Sequence, residues 1–197
     1  MTSIPLVPTL VPARGKLAEL AIVASGVAMI AVAAQIVIPL PITPVPLTGQ
    51  TFAVLLVGAS FGALRGTMTL LAYLAVGFAG LPVFAEGNSG FGILTAPSAG
   101  YLVGMVAAAA LVGVASERGW DRTVPRTALT MVAGNLVIYA FGLTWLGLSL
   151  GAGLAETLVM GVVPFLIGDA IKIALATGTL PSAWWAVRKI KGLPGRK

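Results

Sequence analysis

The sequence predicts an all-α membrane protein of six transmembrane helices with both termini cytoplasmic. Three observations carry that expectation. Of 197 residues, 58% are hydrophobic and 9% charged, and the mean hydropathy is +1.02, far from the composition of a soluble globular domain. The apolar residues gather into runs long enough to cross a hydrocarbon core of ~30 Å at about 1.5 Å per residue. The basic residues fall at alternate breaks between those runs. The length fits a single integral membrane domain over residues 1–197 and leaves no room within them for a soluble one.

Residues 1–13 carry Pro5, Pro8 and Pro12 and no charge, and are expected to be irregular. Arg14 and Lys16 precede the first span, residues 17–38. Its Ala21, Ala24, Ala28 and Ala31 are spaced three, four and three apart and form one smooth stripe. Small residues let helix backbones approach closely in lipid, so the stripe is a docking face for another helix, in this chain or on a partner. The same region, with Ala31-Val-Ala33, also resembles a cleaved secretory signal, but the apolar run continues to Ile38 and reads better as a span.

Pro39, Pro41, Pro44 and Pro46 put four prolines in eight residues, which forbids helix and predicts a stiff, ordered loop. Thr48, Gln50 and Thr51 at its end offer hydrogen-bonding groups to a ligand, or cap the next helix. Spans two and three, residues 47–64 and 66–80, are separated by Arg65. A lone arginine is costly in mid-span and expected at a cytoplasmic turn. The segment from Gly80 to Tyr101 is dominated by glycine and proline with aromatics between. Phe84, Phe91 and Tyr101 can cover the apolar face of a ligand and Asn88 can donate and accept; the plainer alternative is an ordinary tight external loop.

Span four covers residues 100–115 and a mixed, basic loop follows. In span five, residues 128–148, Asn135 and Tyr139 lie four apart on one face, where they either line the interior or bond between helices. Span six covers residues 157–180, followed by Trp184 and Trp185 in an interfacial position and then by Arg188, Lys189, Lys191, Arg196 and Lys197. Six spans put eleven of the twelve basic residues on one side, the cytoplasmic one by the positive-inside rule. The proline loop and the glycine-rich loop then face outward.

The twelfth basic residue is Lys172, three residues after Asp169 in the middle of span six. The two share one helix face. Ionisable groups at that depth cost at least ~2.5 kcal/mol and usually face a bundle interior or a cavity. Pro164 and Gly168 just before them favour a kink that turns backbone toward such a cavity. The alternative is a mutually neutralised pair that only fixes helix packing. The constellation suits a small, partly apolar molecule with an anionic end and amide-like polarity, with Lys172 answering a carboxylate and Asp169 accepting N–H groups or holding Lys172.

The chain has no Cys and no His, which excludes thiol nucleophiles, imidazole bases and zinc-finger sites, so no catalytic or metal-binding residue is expected. No Walker A sequence occurs, and no inverted halves with matched broken helices support a secondary transporter. Energy for uptake would come from partners. The basic excess reports topology, and no nucleic acid is expected.

Pro44-Val-Pro46-Leu-Thr48-Gly-Gln50-Thr51, Gly80-Leu-Pro82-Val-Phe84, Gly90-Phe91-Gly92 through Pro97 to Gly100-Tyr101, and Asp169-x-x-Lys172 together resemble the BioY family. BioY proteins are the biotin-specific substrate-binding (S) components of energy-coupling factor (ECF) vitamin transporters in prokaryotes. The resemblance runs from Leu17 to about Lys191. It departs at Pro97-Ser98-Ala99-Gly100-Tyr101, where the family commonly has Pro-Thr-Gly-Gly-Tyr, which leaves the local loop geometry open.

The resemblance implies a protein of the prokaryotic cytoplasmic membrane with an S-component bundle, not an enzyme, that captures biotin from outside. Asp169, Lys172 and Asn88 would be ligand contacts, and the alanine stripe would meet a transmembrane coupling protein. ATP would be bound only by two partner ABC-type ATPases, and the chain itself would carry no cofactor. Which end of biotin meets the charged pair is left open. The rivals are an S component for another vitamin, a solitary passive facilitator and, least favoured, an intramembrane enzyme.

Overall fold

In the computed structural model residues 3–12 and 15–192 are described; Arg14, Arg196 and Lys197, part of the predicted basic side, lie outside the described residues. In chain order the elements are α1 (Leu6–Leu10), α2 (Lys16–Ala34), β1 (Val37–Ile38), β2 (Leu47–Thr48), α3 (Gln50–Phe61), α4 (Ala63–Phe78), 3-10 turns at Ala85–Gly87 and Phe91–Thr95, α5 (Ala99–Glu117), α6 (Val124–Leu150), α7 (Leu154–Gly161), a 3-10 turn at Val163–Phe165, and α8 (Leu166–Lys191).

Among the described residues four helical segments are long and apolar enough to cross a membrane: Lys16–Ala34, Ala99–Glu117, Val124–Leu150 and the interrupted Leu154–Lys191. The other two apolar helices, α3 and α4, have 12 and 16 residues, roughly 18 and 24 Å.

Helix α5 is the axis of the bundle and packs on α3, α4 and α6. Small residues set those distances. A Cβ on Gly104 would stand 3.0 Å from the Ile138 Cα, and one on Gly113 would stand 2.4 Å from the Ala63 Cα, so a side chain at either position forces the helices apart. Val54, Val57, Ala108, Ala109 and Val112 fill the centre, fully buried.

The structure corrects several expected boundaries. The N-terminal stretch includes α1, whose Leu6 packs with Trp184 and Val187. The first helix stops at Ala34 rather than Ile38, because Val37 and Ile38 pair with Thr48 and Leu47 in a two-residue antiparallel ladder that closes the proline loop. The break between the second and third helices is at Gly62, not Arg65. Its φ of 88° lies in the region that only glycine adopts readily, and the N–H of Ala63 beyond it donates to the Glu117 carboxylate at 2.9 Å. Arg65 sits in the first turn of α4, paired with Glu19 of α2. The last helix continues past residue 180 to Lys191, with Pro181 inside it. Trp184 is not an interfacial anchor: it is 2% exposed, donates its indole N–H to Asp121 at 2.5 Å and lies under the Arg122 guanidinium. Trp185 is exposed, as expected.

Candidate ligand-binding site

The helix carrying Asp169 and Lys172 is interrupted just before them. Pro164 lies in the 3-10 turn Val163–Phe165, between α7 and α8, so Asp169 falls in the first turn of α8. Asp169 is 9% exposed, and an unpaired carboxylate so buried would be costly. It accepts the hydroxyl hydrogen of Tyr139 from α6 and faces the Lys172 ammonium at 3.4 Å. Lys172 donates at 2.8 Å to the Thr51 hydroxyl in the first turn of α3. Three helices thus meet at one net-neutral cluster.

A small cavity of about 70 Å³ opens onto this cluster, below the roughly 300–1,000 Å³ of filled small-molecule sites. Its polar end is formed by Asp169, Lys172, Thr51, Tyr139 and Asn135, while Leu102, Met105, Ile138 and Phe165 make an apolar wall. The mouth lies between the proline loop, through Val45 to Thr48, and the glycine-rich loop, through Phe84, Ile93 and Ser98. Among the described residues no hydrogen bond engages the Asn135 amide or the Ser98 hydroxyl, so both remain available to a ligand.

Seven of the nine predicted site residues line this cavity: Thr48, Gln50, Tyr101, Asn135, Tyr139, Asp169 and Lys172. Some are already engaged. Gln50 donates to the Tyr73 hydroxyl at 3.0 Å, which in turn donates to the Val83 carbonyl at 2.9 Å and ties the second loop to α3. Thr48 accepts the N–H of Gln50. The Tyr101 hydroxyl donates to the Gly161 carbonyl at 3.1 Å, at the end of α7, leaving its ring to line the cavity.

Asn88 and Phe91 stand off the cavity wall. Asn88 is exposed and its amide donates to the Ala85 carbonyl at 2.9 Å. Phe91 is 69% exposed and stacks on Phe78 at 5.1 Å. Phe84 takes the inward place instead, its ring seated against Gly77, where a Cβ would come within 2.2 Å of it.

Gln35 is a residue that spacing could not single out. Just past α2, it donates to the Phe84 carbonyl at 3.0 Å and accepts the Gly87 N–H at 3.1 Å, pinning the glycine-rich loop to the end of that helix. A lone glutamine at the end of an apolar run gives no periodic signal.

On α2, Ala21, Ala24 and Ala28 face outward, exposed, and Ala31 is partly buried, while Ile22, Gly26, Ile30 and Ala34 face the bundle. Among the described residues no group of His, Cys, Asp and Glu is placed to hold a metal ion.

Apolar helices around a small cavity whose polar end is one neutralised carboxylate–ammonium pair define a membrane-embedded binding protein for a small molecule. The same architecture occurs in the crystal structure of the S component for biotin from an ECF-type ABC transporter. The two superpose with a TM-score of 0.74 at 25% identity, covering 93% of this chain and 97% of that one. The biotin transporter BioY of Rhizobium etli is 38% identical over 71% of this chain and 78% of its own length. A probable biotin transporter BioY of Pyrococcus horikoshii is 37% identical over 82% of this chain and 93% of its own. Residues 8–189 match the BioY family, and the chain belongs to it.

Proposed function

We propose that this chain is the biotin-capturing S component of an ECF-type importer in a prokaryotic cytoplasmic membrane. The observation that carries the reading is the net-neutral Asp169–Lys172 pair at the end of a largely apolar cavity. A ligand carboxylate placed there would stand beside Asp169 and leave the site with an unpaired negative charge. The ureido group of biotin is neutral and offers two N–H donors and a carbonyl, which match Asp169 and Lys172 in turn. The bicyclic head therefore sits at the pair, with Asn135 within the same polar end. The carboxylate tail points to the mouth, near Thr48 and Ser98. Gln50, Tyr101 and Tyr139 shape the walls. Asn88 and Phe91 join the site if the glycine-rich loop moves inward as ligand binds.

The fold is read as six spans, with α3 and α4 as short ones and α7–α8 as a single interrupted one, and both termini in the cytoplasm as the basic residues favour. The exposed alanine stripe of α2 meets the transmembrane coupling protein, and two partner ATPases supply the energy. No part of the role is enzymatic and no cofactor is bound. Reconstitution tests this: liposomes with the chain, coupling protein and ATPases accumulate biotin only with ATP, and liposomes with the chain alone do not. Equal flux through the chain alone would make it a passive facilitator.

A further inference from the structure

A second cleft, remote from the ligand cavity, lies between the outward faces of α5 and α6 and has a volume of about 360 Å³. One wall is the α5 stripe Leu111, Val114 and Arg118, the other the α6 stripe Leu129 and Ala133. Arg126 stands one turn before Leu129 and, at i, i+3 and i+7, shares that α6 face. Both stripes are therefore apolar along the bundle and end in an arginine at the same end. The exposed Trp120 closes that end, a residue type that favours the membrane interface. The hydroxyl of Thr130 donates to the Arg126 carbonyl, so the walls below the arginines are essentially apolar.

Among the described residues no carboxylate pairs with Arg118 or Arg126. The acids on the same connection are engaged elsewhere: Glu117 on the Ala63 N–H and Asp121 on the Trp184 indole.

We propose that this cleft is a binding site for an anionic phospholipid, with one acyl chain along the two apolar stripes and the headgroup phosphate between Arg118 and Arg126. Apolar walls of this kind favour an acyl chain, and unpaired arginines at the interface select the anionic headgroup. Each arginine near the surface is worth about fivefold in retention of an anionic lipid, ~1 kcal/mol.

The test uses the purified full chain in detergent, mixed with phosphatidylglycerol or phosphatidylcholine of identical acyl chains, with bound lipid counted by native mass spectrometry. The expected result is roughly a 25-fold preference for phosphatidylglycerol, two such factors multiplied. It falls to near one in the Arg118→Gln/Arg126→Gln variant and is kept by Arg118→Lys. The melting temperature and helical content without added lipid establish that each variant is folded. Equal retention of the two lipids, or a preference that the double substitution leaves intact, overturns the proposal. So does a doubled protein mass that the double substitution abolishes, since a second chain would then occupy the face.

Discussion

The charged pair gives the most quantitative consequence. At 3.4 Å the gross attraction of two unit charges is about 5 kcal/mol at an effective dielectric constant of ~20. Desolvation offsets much of it, and the coupling read from a double-mutant cycle of Asp169→Asn and Lys172→Met is expected near 2 kcal/mol. Each single variant leaves one buried charge without its partner, at a cost of about 3 kcal/mol, the lower end of the usual range. The lower end applies because Tyr139 still serves the carboxylate and Thr51 the ammonium. The double variant is more stable than the sum of the singles. For biotin, either single change removes a charge-assisted hydrogen bond, ~1.5–3 kcal/mol, or about 10- to 150-fold in affinity.

The assay pairs thermal unfolding in detergent with calorimetric titration of biotin and its methyl ester. With the ureido head at the pair, the ester binds the native chain within a few-fold of biotin, and Lys172→Met weakens both equally. Additive stability effects would refute the coupling. An ester that binds the native chain tenfold or more weakly, with the difference vanishing in Lys172→Met, would put the carboxylate at Lys172 and refute the orientation.

Gln35→Ala frees the glycine-rich loop from α2, and with each hydrogen bond worth about 1 kcal/mol biotin dissociation measured by stopped flow should accelerate roughly 5- to 30-fold; an unchanged rate would mean the loop does not gate exit. Gly77→Ala puts a methyl group into the Phe84 ring, so about 1–3 kcal/mol of overpacking should lower the melting temperature and weaken biotin binding together. Ala24→Trp changes an exposed position of α2 and should leave biotin affinity intact while abolishing ATP-driven uptake with the partner proteins; normal uptake would move the partner interface off this stripe.

Much of this arrangement was legible in the sequence because membrane burial makes single polar residues conspicuous. Asp169 and Lys172 stood out as charges in an apolar run, and Asn135 and Tyr139 as polar groups at helical spacing, and all four converge on one cavity. Proline density announced the first loop, but its pinning by β1 and β2 depends on pairing between residues nine and eleven apart, across a stretch too proline-rich to show strand periodicity. The break at Gly62 was hidden because glycine is frequent here, 25 residues in all, while Arg65 drew attention by its charge. Composition could not separate Phe84, which turns inward, from Phe91, which turns out; the slot at Gly77 decides between them. Trp184 looked interfacial by type, but Leu6 of α1 and the Asp121–Arg122 stretch of the α5–α6 loop close over it.

Equilibrium binding of biotin to the purified chain, with thiamine and riboflavin as competitors, decides whether this cavity is a biotin site. Binding is expected to be tight, to resist both competitors and to weaken at least tenfold in Asp169→Asn or Lys172→Met. A folded, monodisperse sample that fails to bind biotin, or binds it equally well without the pair, would contradict the assignment of this cavity as a biotin site.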